Sequence, residues 1–309
     1  MKLITIIVPC LNEEESIHIF YDEINKVISD SAAEFPGAVF ELLFIDDGSK
    51  DGTLKEIKEL SESDSRVRYV SFSKNFGKES ALYAGLKNAK GDYVVCMDVD
   101  MQDPPMLLPE MYRAVSEEGF DSCATRRVTR KGEPPIRSFF ARQFYKIMRK
   151  ISDAEVMDGA RDYRMMRREM ADAILSMHEY SRFTKGIYGW VGYRTKWLEF
   201  ENVERAAGET KWSFWGLFRY AIEGVLAFST VPLEMILWLG AFFSFVSFLG
   251  LIASCVMLPR WGSLPLIVCV IVLVGSMQTM FLGIMSLYLA KTYLETKKRP
   301  IYIVKEKSA

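Results

Sequence analysis

Met97-Asp98-Val99-Asp100-Met101-Gln102-Asp103-Pro104-Pro105 is the stretch whose residue types most plainly suit chemistry. It follows an apolar run, Tyr93-Val94-Val95-Cys96, that reads as a buried strand. Residues i and i+2 of a strand share a face, so Asp98 and Asp100 are expected at its C-terminal end, pointing the same way. Adjacent carboxylates repel unless a cation sits between them, and hard oxygen donors suit Mg2+ or Mn2+. A solvated acidic turn has the same composition, so the pair alone leaves both readings open. Pro104-Pro105 halts the strand and can start a helix.

Other groups must be brought to this pair by the elements around it. Residues 3–8 form a strand ended by Pro9, and Asn12-Glu13-Glu14-Glu15-Ser16 opens a helix carrying Ile17, Phe20, Ile24, Val27 and Ile28 at helical spacing. A second strand, 40–45, runs into the acidic turn Asp46-Asp47-Gly48-Ser49-Lys50-Asp51-Gly52-Thr53, and a helix with Leu54, Ile57 and Leu60 follows. A third strand, 67–72, leads through Lys74-Asn75-Phe76-Gly77-Lys78 into a helix reaching Leu86. After the strand before Asp98 comes a helix with Leu107, Leu108, Met111 and Val115, then a strand, 120–125, ending at Arg126-Arg127. Strands alternating with helices imply a mainly parallel sheet covered on both faces, which binds ligands at the carboxyl ends of its strands. Pro9–Glu13, Asp46-Asp47, Lys74–Lys78, Asp98–Gln102 and Arg126-Arg127 then share one rim, where acids and bases together could hold a metal and phosphates.

Several chemistries lose support. The 39 Lys/Arg and 40 Asp/Glu leave a net charge of −1, which argues against nucleic-acid binding. No G-x-G-x-x-G follows the first strand and no G-x-x-x-x-G-K-[ST] occurs, which disfavours dinucleotide oxidoreduction and P-loop phosphoryl transfer. His18 and His178 stand alone, and the five cysteines form no C-x-x-C pair, so they read as buried thiols in a reducing compartment. The N-terminus lacks the apolar core and cleavage site of a signal peptide.

Charge and hydropathy are unevenly spread. Residues 1–120 hold 12 Lys/Arg against 23 Asp/Glu, whereas residues 121–152 hold 9 against 2, which suggests an anionic partner. Within about 134–152, Ile136, Phe139, Phe140, Ile147, Met148 and Ile151 take helical spacing among basic residues. That is the composition of a helix in an anionic membrane interface, or of a surface helix on a soluble domain. A second candidate, about 210–228, carries Trp212 and Trp215, residues suited to the water–lipid boundary. Met235–Pro259 and Trp261–Ala290 are uncharged over 25 and 30 residues, each longer than the ~20 needed to cross a bilayer. We read them as a transmembrane hairpin, a buried soluble helix pair being the alternative. Lys291, Lys297, Lys298 and Arg299 outnumber Arg260 in the turn, which puts the catalytic part and the tail on the cytoplasmic side. The expected division is a catalytic domain over 1–230, two membrane helices over 231–291 and a basic tail over 292–309, whose segment 300–304 could add a strand to a neighbouring subunit.

Ile-Val-Pro-Cys-Leu-Asn-Glu-Glu-Glu (7–15), Ile-Asp-Asp-Gly-Ser-Lys-Asp-Gly-Thr (45–53) and Met-Asp-Val-Asp-Met-Gln-Asp-Pro-Pro (97–105) resemble glycosyltransferase family 2, with its GT-A fold. Lys-Asn-Phe-Gly-Lys-Glu (74–79), Gly-Glu-Thr-Lys-Trp-Ser-Phe-Trp (208–215), Phe-Ser-Thr-Val-Pro-Leu (228–233) and the two apolar runs narrow the resemblance. They point to the polyprenyl-phosphate glycosyltransferases, which include bactoprenol glucosyltransferases and dolichyl-phosphate mannose synthase. The resemblance implies an inverting transfer from a nucleotide sugar, UDP-glucose first and UDP-N-acetylglucosamine or GDP-mannose as alternatives, to undecaprenyl phosphate. It implies that Pro9, Leu11, Glu13, Asp46 and Asp47 bind the nucleotide with Lys78 and Asp98, and that Asp98, Asp100 and Gln102 hold Mg2+ or Mn2+. Asp162, in Asp158-Gly159-Ala160-Arg161-Asp162-Tyr163-Arg164, takes the role of base or acceptor-positioning group; an ion pair with Arg164 or Arg167 is its plainer reading. Arg161 stands where the family often has a small residue. Arg126, Arg137, Arg205 and Lys211 are the candidates for the lipid phosphate. A homotetramer, a flippase and a downstream glycosyltransferase are the implied partners. A processive polysaccharide synthase would carry Q-x-x-R-W and more spans, and a nucleotide-binding membrane scaffold without turnover is the rival outside enzymes.

Overall fold

The structure, a computed structural model, describes residues 1–128, 157, 159–180, 182–201 and 264–308, with isolated positions between 222 and 242. The interfacial segments expected at 134–152 and 210–228 and the first apolar span at 235–259 lie outside the described residues, apart from those isolated positions.

The chain opens with β1 (Lys2–Cys10), α1 (Glu14–Asp30), β2 (Ala38–Asp46), α2 (Thr53–Ser63), β3 (Val67–Phe72), α3 (Lys78–Asn88) and β4 (Tyr93–Cys96). It continues through α4 (Leu108–Ser116), β5 (Ser122–Arg127), β6 (Ala160–Arg167), α5 (Arg168–Ser176), α6 (Thr184–Trp190) and β7 (Thr195–Phe200). The long helix α7 (Leu264–Thr296) and a short strand β8 (Val304–Lys307) complete it. Pro105 begins a 3-10 turn that leads into α4, as the Pro-Pro pair suggested.

The eight strands form one sheet in the order β7-β5-β6-β4-β1-β2-β3-β8. β1 pairs in parallel with β2 and β4, β2 with β3, and β5 with β7, so the expected parallel framework is present. It is not uniform. β6 runs antiparallel between β4 and β5, and β8 runs antiparallel along β3. The side chains of β1 divide between two apolar layers: Ile4, Ile6 and Val8 pack with Phe20 and Ile57, while Ile7 packs with Leu82, Met166 and Ile187. α1, α2 and α4 therefore cover one face, and α3, α5 and α6 the other. Gly85 lets α3 lie against the sheet, since a Cβ there would sit 2.1 Å from Ile7.

Two boundaries differ from expectation for physical reasons. β1 continues through Pro9 to Cys10. Its β4-side ladder stops at Ile7, whose carbonyl accepts Met97 N–H, so the amide proton that Pro9 lacks falls where no strand remains to receive it. The tail adds its strand to β3 of its own chain, not to a neighbour: Tyr302 stacks on Phe72 at 4.8 Å, and Lys58 pairs with Glu306 at 2.6 Å. α7 runs past Ala290 to Thr296, and its segment Leu273–Thr296 is apolar and long enough to cross a membrane. Among the described residues none buries a side chain of its most apolar window completely.

Candidate active site

Three rim loops are tied together before any reactive group is placed. Asn12 adopts a left-handed φ of 52° and accepts Lys50 N–H at 2.8 Å, while its own N–H donates to Ser49 at 2.9 Å. Glu13 N–H donates to Thr53 Oγ1 at 2.8 Å. Gly48 has φ +69° and packs on the next loop so closely that a Cβ would lie 2.4 Å from the Lys74 carbonyl carbon. Asp46 and Asp47, both buried, hold these turns in place. Asp46 accepts Ser49 N–H and the Ser71 hydroxyl, and Asp47 accepts Phe76 N–H at 2.6 Å and Gly77 N–H at 2.9 Å. Burial pushes the Asp47 carboxyl up to about 6, against those two N–H groups. The acidic turn thus shapes the rim as well as furnishing acceptors beside Pro9 and Leu11.

Lys78, first residue of α3, crosses the middle of the rim. Its ammonium lies 2.8 Å from Asp98 and 2.7 Å from Asp162, so one cation joins the end of β4 to the start of β6. Burial alone would push the Asp162 carboxyl up, but Lys78, then Lys185 and Arg161, hold it well below the usual carboxylate range. The ion pair with Arg164 or Arg167 is not formed: Arg164 donates to Ser122 and Thr195, and Arg167 to the Val115 carbonyl. Arg161 donates to Asp103 at 2.8 Å and lies 3.9 Å from Asp98. Asp103 is fully buried, which pushes its carboxyl up to about 6 against the pull of Arg161, and one of its oxygens has no hydrogen-bond partner. Asp103 and Arg161 thus join the D-x-D turn to β6; in the sequence the available signal was one further acid after D-x-D and one base directly before Asp162.

The D-x-D turn itself is bent. Met101 takes φ 61°, a conformation that costs a side chain such as Met on the order of 1 kcal/mol or more, and Gln102 N–H donates back to the Asp100 carboxylate at 3.2 Å. Among the described residues no three His, Cys, Asp or Glu side chains form a closed metal cage. Asp98 and Asp100 instead offer two hard oxygen donors beside Gln102, an open set of the kind Mg2+ or Mn2+ completes with substrate phosphates and water. The residues fit such an ion.

The acceptor candidates fare differently. Arg126, next to last in β5, is paired with Glu199, with Met157 sulfur also in reach, so its charge is already met. Arg137, Arg205 and Lys211 lie outside the described residues. Lys185 and Arg164 stand near Asp162; no role is expected of Lys185 from the sequence, and Arg164 is expected there only as an ion-pair partner of Asp162. Lys185 follows a short helix start with no periodic signal, and Arg164 looks like one more charge in a charged segment.

Comparison with known proteins adds the family. The profile of glycosyl transferase family 2 matches residues 5–175. A prophage bactoprenol glucosyl transferase homolog of Escherichia coli (strain K12) is 36% identical over 306 residues, 98% of either chain. The bactoprenol glucosyl transferase of Shigella phage SfX is 36% identical over 308 residues, 98% of this chain and 99% of its own. CsbB of Bacillus subtilis (strain 168), named as a glycosyltransferase with no acceptor stated, is 38% identical over 98% of this chain and 92% of its own.

Proposed function

The chain belongs to glycosyltransferase family 2, and from that premise we propose that it transfers glucose from UDP-glucose to undecaprenyl phosphate. The observation that carries the reading is the Asp98–Lys78–Asp162 bridge, which joins the donor's D-x-D turn to the carboxylate assigned to the acceptor. Relatives matched nearly from end to end, and named as bactoprenol glucosyl transferases, support glucose as the sugar and bactoprenol as the acceptor.

In this reading the nucleotide lies over the rim formed by Pro9, Leu11, Glu13, Asp46 and Asp47, with its diphosphate toward Asp98 and Lys78. Asp98, Asp100 and Gln102 would hold Mg2+ or Mn2+, which supplies Lewis-acid stabilisation to the departing diphosphate. A lipid phosphate oxygen attacks the anomeric carbon from the face opposite the diphosphate. The carbon–oxygen bond to UDP breaks with its electron pair going to the diphosphate, and the products are a β-linked polyprenyl-phosphate sugar and UDP. A phosphate dianion needs no base for this step. Asp162, kept ionised by Lys78, is suited to orienting the reactants and to balancing charge rather than to taking a proton.

The apolar helix α7 supports a membrane location with the catalytic domain on the cytoplasmic side, where charged nucleotide sugars and the basic residues 291–299 belong. The homotetramer, flippase and downstream glycosyltransferase belong to the same reading and are open to sizing and co-purification in mild detergent.

The test is a reconstitution with full-length protein, Mg2+ or Mn2+, undecaprenyl phosphate and a panel of UDP- and GDP-sugars. Lipid-linked glucose is expected from UDP-glucose; no lipid-linked sugar from any donor would overturn the reading. Asp98→Ala should abolish transfer and weaken UDP binding in the presence of the ion, whereas Asp162→Asn should abolish transfer and leave UDP binding within about twofold.

A further inference from the structure

A cavity of about 370 Å3 lies beside Asp162, bounded by β6, α6 and β7. Its volume is in the lower part of the range for small-molecule sites, ~300–1,000 Å3. Arg161, Arg164 and Lys185 supply its charged walls, Tyr188 and Trp197 its aromatic ones, and among the described residues no carboxylate lines it. Arg164 is only 3% exposed, with its guanidinium 4.3 Å from the centre of the Tyr188 ring and 5.4 Å from that of Trp197. It donates to the hydroxyls of Ser122 and Thr195, its Nε has no hydrogen-bond partner, and among the described residues no carboxylate forms an ion pair with it. Lys185 is half-buried and donates to the Ala160 carbonyl at 2.9 Å.

A guanidinium removed from water without an anion beside it is costly. Here the deficit faces a cavity that already contains a second cation, so the missing partner is an anion. The position selects which one. Ala160 and Arg161, the two β6 residues before Asp162, and Lys185, whose charge acts on the Asp162 carboxylate, line the cavity, so it adjoins the carboxylate assigned to the acceptor, while Arg161 also pairs with Asp103 and approaches Asp98. Met157 contributes to the wall where the chain returns from the basic segment 129–156, and Trp197 lies on the strand that leads toward the apolar runs. Aromatic rings flanking paired cations suit a phosphate carried on a hydrocarbon chain.

We propose that this cavity seats the phosphate of the acceptor lipid, Lys185 contacting its oxygens and Arg164 providing fixed positive charge behind them, with Tyr188 and Trp197 flanking the first carbons of the prenyl chain. The proposal rests on the transfer reading above but fails separately from it. Lys78 stands against Asp162, and the walls that face the arriving phosphate carry Arg161, Arg164 and Lys185.

The experiment measures binding of undecaprenyl phosphate, undecaprenol, inorganic phosphate and UDP to the full-length protein in detergent, by tryptophan fluorescence and thermal shift, alongside KM for both substrates. Lys185→Gln should weaken undecaprenyl phosphate binding, and raise its KM, at least tenfold. Lys185→Glu should do more and Lys185→Arg should recover most of the loss, while UDP binding stays within twofold and reports an intact fold. Unchanged lipid phosphate binding in both Lys185→Gln and Lys185→Glu would overturn the proposal, as would an equal loss of UDP affinity. Inorganic phosphate competing as well as the lipid would assign the cavity to free phosphate and overturn it too. Lys185-dependent lipid phosphate binding without any sugar transfer would keep the cavity assignment and remove the transfer reading.

Discussion

Lys78 places one positive charge within 2.8 Å of Asp98 and Asp162, two carboxylates assigned to opposite sides of one reaction. Removing it leaves two half-buried negative charges with less to balance them. Lys78→Gln should lower kcat/KM by about 10²–10³-fold, the scale of losing one electrostatic contact at a reacting centre. Its pH profile is the more specific readout. In the intact protein Lys78 outweighs burial and keeps Asp162 ionised to well below the usual carboxylate range. Without Lys78, burial prevails, the Asp162 carboxyl moves up, and the acidic fall in kcat/KM should move to higher pH. An acidic limb that stays put in Lys78→Gln would contradict the bridge. At this scale Asp46, Asp47, Asp98 and Asp100 are visible in the sequence as charges after apolar strands, Lys78 as a charge opening a helix, and Asp162 only through the family resemblance. What sequence could not supply was pairing. That Arg161 answers the buried Asp103, and that Glu199 answers Arg126, are facts of three-dimensional proximity between residues 58 and 73 positions apart.

At the scale of elements, the rim is a set of loops locked to one another. Gly48 is the tightest joint: it needs a left-handed φ and has backbone, not side chain, 2.4 Å from where a Cβ would go. Gly48→Ala should lower stability by about 2 kcal/mol or more and weaken UDP binding, measured by chemical denaturation and by titration. Asp47 offers a pH test of the same joint. Its folded-state pKa of about 6 is raised above the ordinary 3.8, so the folded form binds its proton more tightly than the unfolded chain does. That contribution is complete below about pH 4 and is lost as pH rises to about 6, on the order of 2–3 kcal/mol in all. Asp47→Asn should therefore flatten the decline in thermal midpoint between pH 4 and 6; a slope equal to that of the parent protein would refute the assignment. The parallel strands were readable because their apolar runs are continuous, as in Phe40–Ile45. β6 was not, because Ala-Arg-Asp-Tyr-Arg-Met-Met-Arg spends its alternation on the charges of the site and leaves no strand-like apolar face to recognise. β7 and β8 are short edge strands whose pairing depends on partners far away in the chain.

The whole molecule joins a mixed sheet covered by helices to a long apolar helix whose side chains are largely exposed among the described residues. α7 has 33 residues, about 50 Å of helix at ~1.5 Å per residue, against a hydrocarbon core of ~30 Å, so roughly two-fifths of it would stand outside the hydrocarbon of a bilayer that it crossed upright. Its last turns meet the catalytic domain, where Glu295 accepts Tyr180 N–H at 2.8 Å, and the tail then closes onto β3. Tyr302 contacts Phe72, and Phe72 contacts Phe76 of the Lys74–Lys78 loop, so the tail braces the loop that carries Lys78. Tyr302→Ala should lower the thermal midpoint, by an amount equivalent to ~1 kcal/mol or more, and speed proteolysis at residues 74–78.

The antiparallel strand at the end of the chain also sets a length. Only residues 297–303 separate the end of α7 from β8, a tether that extends no further than ~25 Å. In the membrane location proposed above, the bilayer holds the helix and the sheet holds the strand, so bilayer thickness is expected to bear on activity. Activity reconstituted in lipids of graded acyl length should pass through an optimum, and four Gly/Ser residues inserted after Lys298 should broaden it or move it. The same sharp optimum with and without the insert would show that the tether transmits no strain.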